Sequence, residues 1–359
     1  MKKSYLRSAA LGAAALLALS VLSACGSDSG NKGGGDKAAS GKIAFLMPDR
    51  ASTRYEQQDR PLFEAKVKDL CPDCTVVYQN ADADPAKQQQ QADSAMAQGV
   101  KAIVLDPVDS SAAAAIVNNA KSQDIPLITY DRPITDVAAD YYVSFDNEAI
   151  GASIAKSLVD KLKADKAEGG ILLVNGSPTD KAAGLIKKGA ESSVKDSGFD
   201  VLASYDTPEW NPQKAQDWVS GQVTQFGDKI VGIVAANDGT GGGSIAALKS
   251  AGVDPLPPVT GNDAEIAAIQ RIIAGDQYNT ISKPIKIVAE ATAVVAVDFL
   301  KGEKPKGKTT LFNTPSELFI PSVVTMENLK EVIIDGGIYK AAEICTAEYE
   351  AACDKAGIK

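Results

Sequence analysis

The chain has 359 residues, with 37 Lys and Arg against 46 Asp and Glu, so its formal net charge is −9. This acidic balance argues against nucleic acid as a partner. The sequence contains no histidine, which excludes a Ser-His-Asp triad and removes the commonest zinc ligand. A chain of this length usually forms two domains.

The N-terminus has the pattern of an export signal. A positively charged start precedes an apolar stretch at residues 9–21, which is short for a membrane span. The stretch runs into Leu-Ser-Ala-Cys, ending at Cys25, and resembles the lipobox of bacterial lipoproteins, in which the Cys is acylated after cleavage. An ordinary secretory signal with a chance cysteine is the alternative. We predict a lipoprotein signal peptide at 1–24, a flexible tether at 25–41, and a lipid-anchored protein on the extracytoplasmic face of the cell membrane.

Four cysteines remain after Cys25, an even number that predicts two disulfides in an exported protein. Cys71 and Cys74 could bond across a tight turn, which keeps the Cα atoms within about 7 Å. The alternative, a redox-active CxxC motif, normally follows a strand, whereas this pair precedes one. Cys345 and Cys353 would be separated by about 12 Å in a continuous helix. If these two pair, the helix must break between them.

From residue 42 onward, short β-branched runs alternate with longer segments of helical period. This alternation predicts an α/β fold with parallel sheets covered on both faces, divided between two doubly wound lobes. The predicted strands are 42–47, 75–81, 102–107, 126–131, 141–147, 170–176, 200–206, 230–238 and 257–264. The predicted helices are 57–69, 85–98, 111–123, 148–164, 180–196, 211–226 and 239–251.

The predicted strands repeatedly end in acids and amides. The strand "PLITYD" runs directly into Asp131 and Arg132, and similar endings are Asp106-Pro107, Asp146-Asn147, Asn175, Asp206, Asn237-Asp238 and Asn262-Asp263. In open parallel sheets, ligands bind beyond the carboxyl ends of the strands. Any one of these residues could simply cap a helix or begin a turn. The repeated doublets exceed what caps require and predict a polar binding site.

Acceptors and cationic donors are mixed at these strand ends, which suits a neutral polyol or sugar whose hydroxyls both donate and accept. Tyr55 and Trp210, in predicted loops, offer apolar platforms for the sugar ring. The mixed cations argue against a metal site. The glycine-rich segment 237–243 lacks the Gly-Lys-Ser/Thr ending of a phosphate loop. We therefore predict no metal and no cofactor.

Several stretches carry a resemblance to a known family. They are "TRYEQQDRPLF", "ITYDRPI", "YYVSFDNEAIG", "NGSPTD", "VAANDGTGGGSIAAL", "TGNDAEIAAIQRIIAGDQYNTISKPI" and "TPSELFIP". The segment from 42 to about 340 resembles the periplasmic sugar-binding proteins of ABC importers, the ribose and xylose type. "YDRPI" followed by "SFDNE" is fairly specific to the xylose-binding branch.

The resemblance implies a type I periplasmic-binding-protein fold, in which two lobes close on the sugar about a hinge of three crossings. The implied N-terminal lobe is 42–146 plus 283–320, and the C-terminal lobe is 147–282 plus 321–359. The crossings are expected near 146–148, 281–284 and 319–322.

The resemblance also implies the residues that hold the sugar. Those expected to hydrogen-bond to it are Arg54, Asp131, Arg132, Asn147, Asn237, Asp263 and Lys283, with Asp146 and Asp238 beside them. Tyr55 and Trp210 are expected to sandwich the ring. Two positions depart from the family pattern, which has Trp at Tyr55 and Asp at Pro48, and both affect the first wall of the pocket.

The implied function is that of a monomeric solute-binding lipoprotein. It would capture a monosaccharide, with an aldopentose and specifically D-xylose favoured, and pass it unchanged to the permease subunits of an ABC transporter. One alternative is an exported glycosidase using two of the carboxylates, which would need two acids of well-separated pKa rather than uniform pairing with cations. Another is a sugar-sensing receptor lobe.

Overall fold

The strands form where short apolar runs become buried between layers of helices. The computed structural model describes residues 39–358, so the predicted signal peptide, Cys25 and the tether as far as residue 38 lie outside the described residues. The strands are β1 Gly41–Met47, β2 Cys74–Asn80, β3 Ala102–Leu105, β4 Leu127–Tyr130, β5 Tyr141–Phe145, β6 Gly170–Asn175, β7 Asp200–Asp206, β8 Ile230–Ala235, β9 Asn279–Ser282, β10 Thr309–Leu311, β11 Thr314–Phe319 and β12 Ser322–Thr325.

Helices follow most of these strands in the chain. They are α1 Arg60–Leu70, α2 Pro85–Ala97, α3 Ala114–Ser122, α4 Asn147–Ala164, α5 Lys181–Lys195, α6 Pro212–Phe226, α7 Asp238–Ser250, α8 Ile266–Ala274, α9 Ile285–Leu300, α10 Ala341–Ile344 and α11 Glu350–Ala356. A π-helical segment, Tyr55–Asp59, leads directly into α1. Between residues 39 and 358, no helix has both the length and the apolar character that crossing a bilayer requires.

A seven-stranded sheet organises the first lobe, in the order β2-β1-β3-β4-β5-β11-β10. All its neighbouring strands are parallel except β10, which pairs antiparallel with β11. The chain leaves β1 in one direction and returns through β3 on its other side. Such a switch point opens a crevice at the carboxyl ends of the strands.

The second lobe contains a three-stranded parallel sheet, β7-β6-β8, and an antiparallel pair, β9-β12. The predicted strand at 257–264 is reduced to a single bridge, between Val259 and Ile233. The α/β fold with parallel sheets is thereby confirmed, whereas the elements after residue 264 were not individually predicted. Strands β9, β10 and β12 have only three or four residues each, too few for a period in the sequence to be clear.

The chain passes between the two lobes three times. The passages lie between β5 and α4, between β9 and α9, and between β11 and β12. They fall at residue 146, at 283–284 and at 320–321, next to the three expected crossings. The lobe boundaries stay a prediction that this topology favours.

Close helix packing in the second lobe positions one side of the site. A Cβ atom on Gly151 of α4 would lie 1.8 Å from the carbonyl oxygen of Ile186, and one on Gly189 of α5 would lie 2.0 Å from that of Glu148. Only glycine allows the two helices to approach this closely. The contact brings the start of α4 and the face of α5 to the same edge of the lobe.

The C-terminal segment packs on α8 of the second lobe. Leu329, Ile333, Ile344 and Ile358 share a buried apolar cluster with residues of that helix. The chain is not helical between Ile344 and Glu350, which is the break that pairing of Cys345 with Cys353 requires. Their sulfur atoms are 1.97 Å apart, and those of Cys71 and Cys74, between α1 and β2, are 1.95 Å apart.

Candidate functional site

A buried cleft lies between the two lobes, at the carboxyl ends of their parallel strands. Its lining includes nine of the eleven predicted site residues. The lining residues are Ser52, Arg54, Tyr55, Asp131 and Arg132 from the first lobe, Asn147, Asp180, Ala182, Ile186, Trp210, Asn237, Asn262 and Asp263 from the second, and Lys283 from a passage between them.

The adjacent acid and base after β4 both reach this cleft because the strand ends abruptly. Asp131 adopts a left-handed conformation with φ 57°, and its carbonyl oxygen accepts a hydrogen bond from the Ser144 hydroxyl at 2.7 Å. In a continuing strand, neighbouring side chains would point to opposite faces. The turn at Asp131 removes this alternation, so Asp131 and Arg132 both line the cleft.

Arg54 is the centre of the first ion-pair group. Its guanidinium contacts Asp131, lies 2.8 Å from Asp59 and 3.4 Å from Asp263. Burial alone lowers the pKa of Arg54, but Asp131 and Asp59 outweigh it and raise the pKa well above its usual value. Burial alone would likewise raise the pKa of Asp131, yet Arg54 and Lys283 lower it to about 2. Both groups are therefore charged at neutral pH.

Arg132 is the centre of the second ion-pair group. Its Nη2 lies 2.6 Å from Oδ2 of Asp49, and its Nε lies 3.2 Å from Oδ2 of Asp180 and 3.5 Å from Oδ1 of Asp106. Asp106 is fully buried, and burial raises its pKa well above the usual carboxyl range. Because Asp180 belongs to the second lobe, this group joins the two lobes.

The second lobe contributes a polar wall built on strand and helix ends. Asn237 caps α7, since its Oδ1 accepts a hydrogen bond from the Thr240 amide at 2.9 Å. Asp263 has φ 106° and Ala264 has φ 51°, a strained pair of the kind found at ligand sites. This geometry places Oδ1 of Asp263 2.7 Å from Nζ of Lys283.

Two aromatic side chains line the cleft. The Tyr55 hydroxyl donates to Asp131 at 3.2 Å and accepts from Arg132 at 3.3 Å. The Trp210 ring lies against Gly176, and its Nε1 donates to Asp180 at 3.0 Å. Both rings are thus held in fixed orientations, and their stacking on the two faces of a ligand stays a prediction.

Two predicted site residues do not line the cleft. Asp146 is exposed and caps α4, accepting from the Ala149 amide at 3.0 Å. Asp238 is fully buried beneath the cleft, where it accepts from the Thr280 hydroxyl at 2.8 Å and from the Glu265 amide at 2.9 Å. These hydrogen bonds make Asp146 a helix cap and Asp238 a structural carboxylate.

Sequence reasoning missed Asp180 and Asn262 as lining residues. Asp180 ends the quoted stretch "NGSPTD" and caps α5, with its Oδ1 accepting from the Ala182 amide at 2.7 Å. Its second oxygen meets Arg132 and Trp210. One carboxylate therefore serves both as a helix cap and as a cleft residue. Burial raises the pKa of Asp180. The available signal for Asn262 was its doublet with Asp263.

Two polar atoms in the cleft lining, Arg54 Nε and Asn262 Oδ1, are buried without a hydrogen-bond partner among the described residues. Oδ1 of Asp263 is buried beside them and has ion-pair contacts, to Lys283 at 2.7 Å and to Arg54 at 3.4 Å. Buried polar atoms are almost always hydrogen-bonded in folded proteins. A ligand that offers both donors and acceptors fits this set. Across residues 39–358, no group of three or more acidic or cysteine side chains converges as metal ligands.

Comparison with known proteins agrees with this geometry. Residues 43–304 match the model of the periplasmic binding protein domain. The chain belongs to the periplasmic binding protein family. This membership confirms the resemblance read from the sequence and the type I fold. Members of this family bind solutes without transforming them, so the glycosidase alternative is wrong.

Individual members of the family match over most of their length. The chain is 35% identical over 311 residues to the D-xylose-binding periplasmic protein of Escherichia coli (strain K12), covering 84% of this chain and 92% of that one. It is 32% identical over 311 residues to the D-xylose-binding periplasmic protein of Haemophilus influenzae, with the same coverage, 84% and 92%. A crystal structure of an ABC transporter solute-binding protein from Clostridium phytofermentans with bound β-D-glucose superposes with a TM-score of 0.77. It is 27% identical and covers 84% of this chain and 99% of that one.

Proposed function

We propose that this periplasmic binding protein captures a monosaccharide outside the cytoplasm, with D-xylose preferred, and delivers it to the permease of an ABC transporter. The observation that carries the proposal is the pair of buried cleft atoms without a hydrogen-bond partner, Arg54 Nε and Asn262 Oδ1. One is a donor and the other is an acceptor. Sugar hydroxyls can satisfy both kinds at once.

The charges around these atoms support a neutral ligand. Three cations, Arg54, Arg132 and Lys283, are each paired with carboxylates. A charged ligand would have to replace one of these partners, whereas a hydroxyl can join a pair and bond to either member. Hydrogen bonds to ionised groups are roughly twice as strong as neutral ones. The site can therefore hold a sugar firmly without an overall charge on the ligand.

The choice of D-xylose draws on the relatives. The E. coli and H. influenzae proteins named for D-xylose binding match this chain over 84% of its length. The similar structure from C. phytofermentans holds β-D-glucose, so the main competing ligand is a hexose. A pentopyranose lacks the exocyclic hydroxymethyl group of glucose, and the two ligands differ at this one substituent.

Isothermal titration calorimetry against D-xylose, D-ribose, L-arabinose, D-glucose and myo-inositol tests the proposal. D-xylose should bind most tightly, its affinity should be unchanged in EDTA, and chromatography should recover it unaltered. Tighter binding of glucose would overturn the pentose preference. A failure of every sugar to bind would overturn the proposed function.

The proposed location rests on Cys25, which lies outside the described residues. We propose that Cys25 carries the lipid anchor of a monomeric protein. In a bacterial expression host, wild type should partition into the detergent phase of Triton X-114, and Cys25→Ser should be found in the aqueous phase or remain unprocessed. A cleaved Cys25→Ser protein that stays with the membrane would contradict the anchor. Light scattering on the protein without its signal peptide tests the monomeric state.

A further inference from the structure

The C-terminal segment is attached to the second lobe yet reaches the first. Its residues Leu329, Ile333 and Ile344 are buried against α8, and the Gln270 side chain donates to the Ile344 carbonyl oxygen at 2.9 Å. Tyr339 belongs to the same apolar cluster and is 7% exposed. The ring of Tyr339 is thus fixed in the second lobe.

Two side chains of the second lobe bond to one short stretch of the first. The Tyr339 hydroxyl accepts a hydrogen bond from Nε2 of Gln58 at 2.5 Å. Oε1 of Glu265 accepts one from the Thr53 amide at 2.7 Å. We call these four residues, Thr53, Gln58, Glu265 and Tyr339, the clasp.

The clasp lies outside the cleft lining but holds residues that line it. Arg54 and Tyr55, two of the proposed sugar contacts, lie between Thr53 and Gln58 in the chain.

On the other lobe, Glu265 follows Asp263 by two residues. Because Asp263 and Ala264 have positive φ angles, the side chains of Asp263 and Glu265 point in different directions. Asp263 therefore meets Lys283 in the cleft, while Glu265 meets the first lobe.

Outside the cleft, the lobes also touch at a second place, between the loop after β3 and the start of α5. The Ser110 amide donates to the Thr179 carbonyl oxygen at 3.0 Å, and the Lys181 amide donates to the Ser110 hydroxyl at 3.2 Å. Backbone groups dominate this contact. The Gln58–Tyr339 bond, in contrast, joins two side chains, so sequence changes can strengthen or remove it without altering the sugar contacts.

We propose that the clasp sets the lifetime of the closed, sugar-bound form by bonding the two lobes outside the cleft. The inference rests on the proposed function for its sugar readout. Opening about the three passages breaks both clasp bonds, whether or not sugar is present. The clasp residues are positioning residues, because none of the four lines the cleft.

The test compares Tyr339→Phe with Tyr349→Phe, a matched control. Tyr349 lies in the same C-terminal segment and packs on the same cluster, but within the described chain its hydroxyl makes no hydrogen bond to the first lobe. Stopped-flow tryptophan fluorescence, to which Trp210 in the cleft contributes, gives the rate constants for D-xylose. Loss of one hydrogen bond should raise the dissociation rate constant about 3- to 10-fold in Tyr339→Phe and leave the association rate constant unchanged.

A double-mutant cycle separates the clasp from a general packing defect. In a Gln58→Met background, Tyr339→Phe should have no further effect on sugar dissociation. Equal dissociation rates in Tyr339→Phe and Tyr349→Phe would overturn the clasp. So would an undiminished effect of Tyr339→Phe in the Gln58→Met background.

Failure of the clasp can be distinguished from failure of the proposed function. If wild type binds none of the five sugars, the proposed function is wrong. Small-angle X-ray scattering without sugar then tests whether the clasp holds the two lobes together. The Gln58→Met/Tyr339→Phe protein should then have a larger radius of gyration than Tyr349→Phe. Equal radii would overturn the clasp.

Discussion

Arg132 and Asp180 form an ion pair across the cleft, with 3.2 Å between Nε and Oδ2. Arg132 follows the end of β4 in the first lobe, and Asp180 caps α5 in the second. Asp180 also receives the indole N–H of Trp210. One carboxylate therefore connects a cationic donor of one lobe with the indole ring of the other.

Because the charged groups already pair with each other, a sugar that binds here meets a polar network that is already formed. Several carboxylates and cations of the cleft contact each other directly. A sugar hydroxyl can join such a pair, donating to the carboxylate and accepting from the cation. Binding then adds hydrogen bonds to a preorganised polar network, which limits the cost of ordering side chains.

The first prediction contrasts two aspartates that the sequence treated alike. Asp131→Ala should weaken sugar binding by about 2–4 kcal/mol, because it removes an acceptor and leaves the buried Arg54 with one fewer partner. Asp146→Ala should bind sugar almost normally and lose about 1 kcal/mol of stability, as expected for an exposed helix cap. Calorimetry and thermal unfolding of both proteins provide the measurements. Near-normal affinity in Asp131→Ala would contradict its place in the site.

The second prediction concerns the support of Trp210. A Cβ atom at Gly176 would lie 2.1 Å from Cη2 of the indole, so Gly176→Ala should displace the ring and weaken its bond to Asp180. We expect sugar affinity to fall about 10-fold, since a ring platform contributes on the order of 1 kcal/mol or more. The tryptophan emission spectrum should shift as well.

Gly184→Ala is the control for this substitution. Gly184 lies on the exposed face of α5, where a Cβ atom would meet nothing within 4 Å. Alanine should raise the stability of that helix by up to about 1 kcal/mol and leave sugar affinity unchanged. A similar loss of affinity in both variants would show that Trp210 is not the cause.

The third prediction is a pH dependence arising from Glu265. Burial and the neighbouring Asp263 raise the pKa of Glu265 from 4.5 to about 7. The folded protein therefore binds more protons than the unfolded chain between these values, and its stability falls as the pH rises from about 4.5 to about 7. Glu265→Gln keeps an acceptor for the Thr53 amide but cannot ionise. In Glu265→Gln, the free energy of unfolding should therefore fall less between pH 4.5 and about pH 7, by a difference on the order of 3 kcal/mol.

Urea unfolding of sugar-saturated protein from pH 4 to pH 8 measures this effect. A smaller slope of the same sign should persist in Glu265→Gln, because burial also raises the pKa of Asp59, to about 6, and the pKa values of Asp106, Asp180 and Asp238. Asp131 acts in the opposite direction: its stabilising contribution is lost only as the pH falls through about 2. An identical pH profile in wild type and Glu265→Gln would contradict the prediction.

The fourth prediction concerns the C-terminal disulfide. Replacing Cys345 and Cys353 by Ser should lower the free energy of unfolding by about 2–3 kcal/mol, because the bond closes a short loop. The segment that carries Tyr339 would also become less firmly held. Thiol alkylation without reductant should label neither this pair nor Cys71 and Cys74 in wild type. Quantitative labelling of native Cys345 and Cys353 would contradict the pairing.

The fold class and most of the cleft lining follow from the amino-acid sequence alone. Parallel strands are buried on both faces, so they appear as continuous apolar runs, and their polar endings fall at the edge where such sheets bind ligands. Asp131, Arg132, Asn237 and Asp263 could be named for this reason, with Arg54 and Lys283 added by the family resemblance. Local sequence patterns were sufficient to predict site residues at the carboxyl ends of parallel strands, because all these ends lie at the same edge of the sheet.

Aspartates with the same local signal are distinguished only by where the fold places them. Asp146 and Asp180 both cap helices, yet Asp180 lines the cleft and Asp146 is exposed. A cap is specified by a few neighbouring residues, whereas exposure to the cleft depends on how one lobe faces the other. The bond between Gln58 and Tyr339 joins residues 281 positions apart. No local pattern encodes such a contact, because it exists only when both lobes are folded and in contact.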